Sequence, residues 1–333
     1  MIEGRAQENE VKYMRRCLEL ARCGWLGAPP NPMVGAVIVC DGRIIGEGFH
    51  QRCGGPHAEV NAIGSVRQPD LLCKSTMYVS LEPCAHYGKT PPCADLIIEK
   101  RIPRVVVGCR DTFSKVNGQG IAHMQAAGIE VVVGVLEEEC RQLNRRFFTY
   151  HEKQRPWVTL KWAQTSDGFI DAKRTGGQPL RISTSFTQAL AHRLRASHQA
   201  ILVGTHTAIL DNPSLTTRYW PGPNPLRLTI DRYGVLPDSL QLKDQSVATH
   251  IYSTGNLREI LADLYERGIQ SLLVEGGRAL LQSFIDKGLW DEARVETAPF
   301  KLGDGVESPV LGPARQVDSQ VLDGHQIDRF EPL

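Results

Sequence analysis

Pro56-His57-Ala58-Glu59-Val60 begins the stretch that decides how this chain is organised. The stretch continues with Glu82-Pro83-Cys84 and ends, after eight further residues, at Cys93. One imidazole and two thiols are ligands that zinc prefers. Three protein ligands leave the fourth tetrahedral position to water, as catalytic zinc sites do and structural sites do not. We therefore predict that His57, Cys84 and Cys93 bind a catalytic zinc ion, and that Glu59 is not a ligand.

The role of Glu59 follows from this pattern. In zinc deaminases, activated water attacks a ring carbon that bears an amine, and a non-ligand Glu carries the protons. Side chains two residues apart do not share a helix face, but at a helix start both can converge beyond the N-terminus, and residues 58–66 are predicted to be helical. We expect Glu59 to act as the general base and then as the general acid. A structural zinc site and ordinary buried cysteines are the alternatives.

The local sequence around Cys93 favours a thiolate. Pro91-Pro92 directly before it is typical of a helix start, and a helix N-terminus lowers the pKa of a thiol.

Bulk properties limit the function classes. The chain has 333 residues, which suggests two domains, and it is 41% hydrophobic and 23% charged, as globular proteins are. Its net charge of +1 lacks the basic excess of a nucleic-acid binder. No apolar run is long enough for a membrane span, and the N-terminus has no apolar core of a signal peptide. We expect a cytoplasmic protein.

Cysteine usage marks a domain boundary. All nine cysteines lie between Cys17 and Cys140. An odd count in a chain without a secretion signal argues against a disulfide framework and for metal binding plus buried thiols. Two differently built domains are therefore expected.

Hydrophobic patterning predicts an α/β fold in both halves. In residues 1–150, strands alternate with helices, and one closing helix is predicted over 137–148. In residues 151–333, a second α/β domain is predicted, with its first strand at 157–163. There, Gly276-Gly277 stands between a predicted strand and a predicted helix. This is an anion-binding turn or only a tight turn.

The first half resembles the deaminase half of the RibD family of bifunctional riboflavin-biosynthesis enzymes. The resemblance rests on Asn31-Pro32-Met33-Val34-Gly35, on His57-Ala58-Glu59, and on residues 82–93 with Gly-Lys-Thr-Pro-Pro inside the cysteine spacing. It implies a cytidine-deaminase-like α/β/α domain, with the metal and proton-transfer roles given above. It also implies that Asn31 and His50 contact the pyrimidine and that Lys89 meets the substrate phosphate. The alternatives are a loop cap, a strand-end His and a solvated Lys.

The second half resembles the family's reductase half, which has a dihydrofolate-reductase-like fold. Segments 161–168, 195–200, 207–216 and 275–277 carry this resemblance. It implies a substrate site of Thr165, Arg195, Leu215, Arg218 and Glu275, in which the two arginines suit a 5′-phosphate. It also implies NADPH contacts, with Arg232 suited to the 2′-phosphate. The NADPH contacts are Ala163, Thr207, Asp211, Arg232, Gly277, Arg278, Ala279, Leu280, Leu281, Gln282 and Ser283. A surface charge is the alternative for each arginine, and a turn-forming role for Asp211.

At one position, the second half differs from the family pattern. Many relatives have a Trp near the nicotinamide where this chain has Arg181, within Leu180-Arg181-Ile182-Ser183. The preceding segment 172–179 is also one residue longer.

The resemblance implies a zinc-dependent pyrimidine deaminase domain in residues 1–150 and an NADPH-dependent reductase domain in residues 151–333. The substrate would be a small phosphorylated pyrimidine, with no nucleic-acid or membrane partner and with a homo-oligomeric state. Two alternative functions remain: a nucleic-acid deaminase, and a deaminase with a non-catalytic nucleotide-binding module. A structural zinc protein is the non-enzymatic alternative.

Overall fold

The computed structural model describes residues 2–85, 91–112 and 118–333, with side chains described from residue 8 onward. The chain divides into two compact units, Met1–Lys153 and Gln154–Leu333.

The first unit is an α/β/α sandwich. In its described part, a five-stranded sheet has the order β2-β1-β3-β4-β5, with β1 antiparallel to β2 and β3 and the other pairs parallel. The strands are β1 (Gly35–Cys40), β2 (Arg43–Phe49), β3 (Thr76–Leu81), β4 (Arg104–Cys109) and β5 (Glu130–Val133). The helices are α1 (Ile2–Arg22), α2 (Ala58–Gly64), α3 (Cys93–Glu99), α4 (Gln119–Ala126), α5 (Glu137–Leu143) and α6 (Arg145–Lys153), with a 3-10 helix at Pro69–Lys74.

Both faces of this sheet are covered, which explains the continuous apolar runs in its strands. Alternate residues of β1 enter different cores. Ile38 packs with residues of α2, α3 and α4, whereas Val37 and Val39 pack with residues of α1, α5 and α6. The helix starts that carry the predicted metal ligands therefore lie on the α2/α3 face.

The second unit is a three-layer α/β domain. Its described residues form an eight-stranded sheet of order β10-β9-β8-β11-β6-β12-β15-β14, parallel from β10 to β12, and a separate β7–β13 pair. The strands are β6 (Trp157–Gln164), β7 (Phe169–Asp171), β8 (Ala200–Val203), β9 (Leu226–Ile230), β10 (Thr249–Tyr252), β11 (Ser271–Glu275), β12 (Glu292–Thr297), β13 (Val306–Glu307), β14 (Ala314–Leu322) and β15 (His325–Pro332). The helices are α7 (Ser185–Ser197), α8 (Thr205–Asp211), α9 (Leu257–Glu266) and α10 (Arg278–Asp286), with a 3-10 helix at Gln241–Lys243.

The α/β prediction is confirmed in both units, but one element prediction is wrong and one hairpin was not predicted. The single helix predicted over 137–148 is two helices, α5 and α6, which are broken at Asn144. The C-terminal hairpin of β14 and β15 was not predicted at all. Because β14 has no buried residue, its sequence lacks the apolar alternation that marks a half-buried strand. No helix in the described ranges has the length and apolar character to cross a bilayer.

Candidate functional site

The structure brings the three predicted metal ligands together in the first unit. His57 directly precedes α2 with extended backbone, Cys84 lies in the loop after β3, and Cys93 is the first residue of α3. Nδ1 of His57 is 3.6 Å from Sγ of Cys84 and 3.3 Å from Sγ of Cys93. All three ligand atoms lie within 4.8 Å of one another, so one ion can contact them all.

The electrostatics of this cluster suit a metal ion that needs thiolate ligands. The pKa of Cys84 lies well below its ordinary value, because the Cys93 thiol, the His57 ring and the Cys93 backbone N–H donate to its sulfur. That N–H is 3.3 Å from the sulfur and lies in the first turn of α3. One nitrogen and two sulfurs at these positions are a donor set that fits zinc.

Glu59 lies beside the cluster in the first turn of α2. Its side chain is 3% exposed, and this burial raises its pKa to about 7. A carboxyl group with a pKa near neutrality can both accept and return a proton under physiological conditions.

Asn31 and His50 form a polar pair next to the metal ligands. The side-chain nitrogen of Asn31 is 3.1 Å from Nε2 of His50, and Nδ1 of His50 is 3.0 Å from the carbonyl oxygen of Pro56. The Pro56 carbonyl oxygen can only accept, so Nδ1–H donates to it and Nε2 accepts from Asn31; burial lowers the pKa of His50, which favours this neutral ring. The ring packs edge-on against His57 at 5.4 Å between centroids. Lys89 lies outside the described residues.

Glu82 was missed as a candidate although it stands two residues before Cys84. Its carboxylate is 4% exposed and accepts hydrogen bonds from the backbone N–H groups of Gly118 (3.0 Å), Gly120 (3.0 Å), Ile121 (3.3 Å) and Asp111 (3.3 Å). It thereby ties the loop that carries Cys84 to the N-terminus of α4. An acidic residue two positions before a predicted metal ligand was the signal in the sequence.

A cleft of about 1550 Å³ lies in the second unit. It opens at the carboxyl ends of the parallel strands β6, β8 and β11, the edge at which α/β sheets bind ligands. Nine of the eleven predicted cofactor contacts line it. They are Ala163, Thr207, Asp211, Gly277, Arg278, Ala279, Leu280, Gln282 and Ser283.

The turn from β11 to α10 forms one wall of this cleft. Gly276 has φ of +143°, which favours glycine. The backbone N–H of Gly277 donates to Oγ1 of Thr207 at 2.9 Å, and a Cβ at Gly277 would lie 3.1 Å from that oxygen. Bare backbone and a helix N-terminus at this wall fit the diphosphate of a dinucleotide.

The other two predicted cofactor contacts do not line the cleft. Leu281 is fully buried in the core of the unit, and Arg232 lies over the Tyr233 ring at 5.4 Å. Asp211 lines the cleft in an ion pair with Arg174, which also binds Asp171 at 2.7 Å. Arg174 was missed in the sequence because its partner Asp211 is 37 residues away.

Among the predicted substrate contacts, Glu275 lines the cleft and pairs with Arg195 from α7. Arg218 lies near this pair: its backbone N–H donates to Nδ1 of His192 at 2.8 Å, and its charge contributes, with burial and Arg195, to lowering the pKa of His192 to about 4. Thr165 is buried in the turn between β6 and β7, and Leu215 is buried in the core.

The segment in which this chain departs from the family pattern also lines the cleft. Arg181 donates to Oγ of Ser185 at 3.3 Å. Ser183 donates to Glu296 at 2.7 Å, and Glu296 also accepts from Thr187 at 2.6 Å and contacts His325 at 2.8 Å. This buried network was missed because its members are far apart in the sequence.

Known proteins match both units. The family model described as the cytidine and deoxycytidylate deaminase zinc-binding region matches residues 7–109, and that of the RibD C-terminal domain matches residues 156–326. The riboflavin biosynthesis protein RibD of Aquifex aeolicus is 40% identical over 329 residues, covering 92% of this chain and 91% of that protein. RibD of Escherichia coli is 34% identical over 327 residues, covering 87% and 88%.

Solved structures match the whole chain as well. A Thermotoga maritima protein described as a diaminohydroxyphosphoribosylaminopyrimidine deaminase and 5-amino-6-(5-phosphoribosylamino)uracil reductase superposes with a TM-score of 0.90 at 38% identity. The match covers 98% of this chain and all of that one. Acinetobacter baumannii RibD superposes with a TM-score of 0.89 at 31% identity and covers 98% and 99%.

Proposed function

This chain belongs to the RibD family of bifunctional riboflavin-biosynthesis enzymes, and we propose that its first unit performs the deamination and its second unit the reduction. The enzyme is a zinc-dependent deaminase and an NADPH-dependent reductase. The observation that carries the proposed division is the cluster of His57, Cys84, Cys93 and Glu59, which lies within the first unit.

The proposed substrate of the first unit is 2,5-diamino-6-ribosylamino-4(3H)-pyrimidinone 5′-phosphate. Zinc, when bound, lowers the pKa of a water molecule toward about 7 and supplies the nucleophile that adds to the ring carbon bearing the 2-amino group. Glu59 takes one proton from the water and delivers it to the ring nitrogen, then takes the second proton from the hydroxyl now on the ring carbon and delivers it to the departing amine, which leaves as ammonia. Its pKa of about 7 suits both directions of transfer. Asn31 and His50 orient the pyrimidine through polar atoms that lie next to His57.

The second unit then reduces the ribosyl group to a ribityl chain. NADPH, when bound, would supply a hydride for C1′ of the opened sugar, and a proton from solvent would complete the reduction at the attached nitrogen. The turn at Gly276-Gly277 holds the diphosphate of the cofactor, and Arg195 and Arg218 bind the 5′-phosphate. Positioning in the cleft carries most of this step.

The finer parts of the proposal concern partners and location. The balance of 38 basic against 37 acidic residues supports a free nucleotide rather than nucleic acid as substrate. We propose a cytoplasmic location and a homo-oligomeric state by analogy with the family.

The proposed division is tested by Glu59→Gln in the full chain, with ammonia release and NADPH oxidation assayed separately. We expect ammonia release to fall by a factor of about 10² to 10⁴, the usual contribution of an acid-base group, with bound zinc unchanged. NADPH oxidation with the deaminated product should keep its rate. Normal ammonia release by this variant contradicts the assigned role of Glu59.

Removing the metal is a second test of whether the first unit alone performs the deamination. A chelator should abolish ammonia release and leave NADPH oxidation intact, because no predicted zinc ligand lies in the second unit. A wild-type enzyme that does not oxidise NADPH with the deaminated product would instead support a non-catalytic second unit. Preference for RNA or DNA over the free nucleotide would support the nucleic-acid alternative.

A further inference from the structure

Asn144 makes an unusual pair of hydrogen bonds far from its place in the sequence. It stands at the break between α5 and α6, and its side chain binds the backbone of Met33, 111 residues away. The N–H of Met33 donates to Oδ1 of Asn144 at 2.8 Å, and Nδ2 of Asn144 donates to the carbonyl oxygen of Met33 at 2.9 Å. Asn144 is 4% exposed. One amide side chain thus satisfies both backbone polar groups of one residue, as a neighbouring strand would.

The loop held in this way carries a predicted substrate contact. Met33 is two residues after Asn31 in the connection between α1 and β1. Pro32 between them has no N–H to donate. The hydrogen bonds from Asn144 therefore fix the backbone directly next to the Asn31-Pro32 step.

The same loop reaches the metal cluster through two further contacts. The side chain of Asn31 donates to Nε2 of His50, and the His50 ring packs edge-on against His57. A continuous connection therefore runs from Asn144 through hydrogen bonds to Met33, along the backbone to Asn31, through a hydrogen bond to His50 and through ring packing to the predicted ligand His57.

We propose that Asn144 is a positioning residue of the deaminase site, which holds the Asn31 loop at the place where the Asn31 amide meets His50 and the pyrimidine. This inference rests on the proposed function of the first unit. It also gives the helix break a reason. Asn144 has non-helical backbone angles, φ of −105° and ψ of 22°, and its side chain binds the loop from this conformation. In a continuous helix over 137–148, residue 144 would have helical angles instead.

Only an amide side chain can make this pair of bonds. Asp at position 144 has the same shape but no N–H, so one carboxylate oxygen would face the carbonyl oxygen of Met33. Asn144→Asp therefore breaks one hydrogen bond and replaces it by a repulsion. Ile102→Val serves as the matched control, because Ile102 is fully buried in the first unit, beyond the end of α3 opposite to Cys93.

The test measures kcat and KM of deamination, bound zinc, and NADPH oxidation with the deaminated product. For Asn144→Asp we expect KM for the pyrimidine substrate to rise about tenfold, as the loss of one hydrogen bond does, with a smaller change in kcat. Bound zinc and the reductase rate should stay at wild-type values. Ile102→Val should leave KM unchanged. An unchanged KM in Asn144→Asp overturns the proposal.

A double-mutant cycle separates positioning from a general effect on folding. If Asn144 acts through Asn31, adding Asn144→Asp to Asn31→Ala should change KM little. If the two effects are independent, the KM of the double variant should rise by the product of the two single increases, and that result overturns the proposal. If Asn144→Asp does not fold, the uncharged Asn144→Ala takes its place in the same cycle with the same expectation. A wild-type enzyme that releases no ammonia refutes the proposed function itself. An active wild type with an unaffected variant refutes only the role of Asn144.

Discussion

Arg195 forms a two-pronged ion pair with Glu275, which lines the cleft of the second unit. Nη2 of Arg195 is 2.7 Å from Oε2 of Glu275, and Nε is 3.3 Å from Oε1. The two side chains are only 14% and 12% exposed. Because Glu275 ends β11 where the cleft begins, the pair links the predicted substrate site to the end of the sheet.

The first prediction concerns the acid stability of the second unit. Burial alone would raise the pKa of Glu275, but the charges of Arg195 and Lys161 and the hydrogen bond from Arg195 bring it below its ordinary value. A carboxyl group with a lowered folded pKa stabilises the fold above its unfolded pKa of about 4.3, and this stability is lost as the pH falls through the folded value. The midpoint of unfolding of the wild type should therefore fall more steeply below about pH 5 than that of Glu275→Gln.

Tryptophan fluorescence can follow this transition, because four of the five tryptophans lie in the second unit. At neutral pH, Glu275→Gln should lower the unfolding free energy by about 3 kcal/mol, since it leaves the Arg195 charge unpaired. Glu266→Gln, an exposed carboxylate on α9, is the control and should change neither value. Parallel acid profiles for the wild type and Glu275→Gln would contradict the prediction.

The second prediction concerns Glu82 and retention of the metal. Glu82→Gln replaces one acceptor oxygen by an N–H donor that faces backbone N–H groups, at a cost of about 1–3 kcal/mol for the unsatisfied buried donors. The loop has no room to adjust, because Gly120 packs so closely on Pro83 that a Cβ would lie 2.0 Å from its carbonyl oxygen. We expect faster release of zinc to a chromogenic chelator.

Glu99→Gln is the control for Glu82, because Glu99 is an exposed residue at the end of α3 with a surface ion pair to Lys100. Its zinc release should match that of the wild type. Equal release rates for Glu82→Gln and the wild type would show that the carboxylate does not hold the metal loop.

The sequence predicted the metal cluster because its information is local. His57 and Glu59 are two residues apart, both cysteines flank one loop, and the ligand types alone suggest zinc. The sheets were predictable for a similar reason: buried strands such as β1 have continuous apolar runs.

What the sequence did not predict depends on distant partners. Glu82 binds N–H groups 29 to 39 residues away, and Asn144 binds Met33 across 111 residues. Nothing in the residues around Asn144 marks it as an anchor, so the helical periodicity on both sides predicted one helix. The Glu296 network and the hairpin of β14 and β15 also form only when segments far apart in the chain meet.

The third prediction concerns the glycine turn of the cleft. Thr207→Val removes the oxygen that accepts the N–H of Gly277 and puts a methyl group in its place. With the turn no longer fixed, we expect KM for NADPH to rise about five- to tenfold, as the loss of one hydrogen bond does, with a smaller effect on kcat. Thr207→Ser keeps the hydroxyl and should behave as the wild type. Equal KM values for NADPH in the Val and Ser variants would show that this turn does not contribute to cofactor binding.

The fourth prediction concerns Arg181, which stands where the resemblance to the family implies a Trp. Its side chain lines the cleft, and no carboxylate in the described ranges lies within ion-pair distance of it. Two other cleft cations, Arg174 and Arg278, are paired with carboxylates. Arg181 is therefore available to bind a phosphate group of NADPH, whose affinity should then depend on ionic strength.

Arg181→Gln should raise KM for NADPH several-fold at low salt, with little change in kcat, because a guanidinium–phosphate contact contributes to binding of the ground state and transition state alike. Added salt should raise KM of the wild type more steeply than that of the variant, so that the two values converge. Arg258→Gln, an exposed position on α9, is the charge-matched control and should follow the wild type at every salt concentration. A rise in KM for the phosphorylated pyrimidine instead of NADPH would show that Arg181 binds the substrate. If neither KM changes, Arg181 binds neither molecule and is only a surface charge.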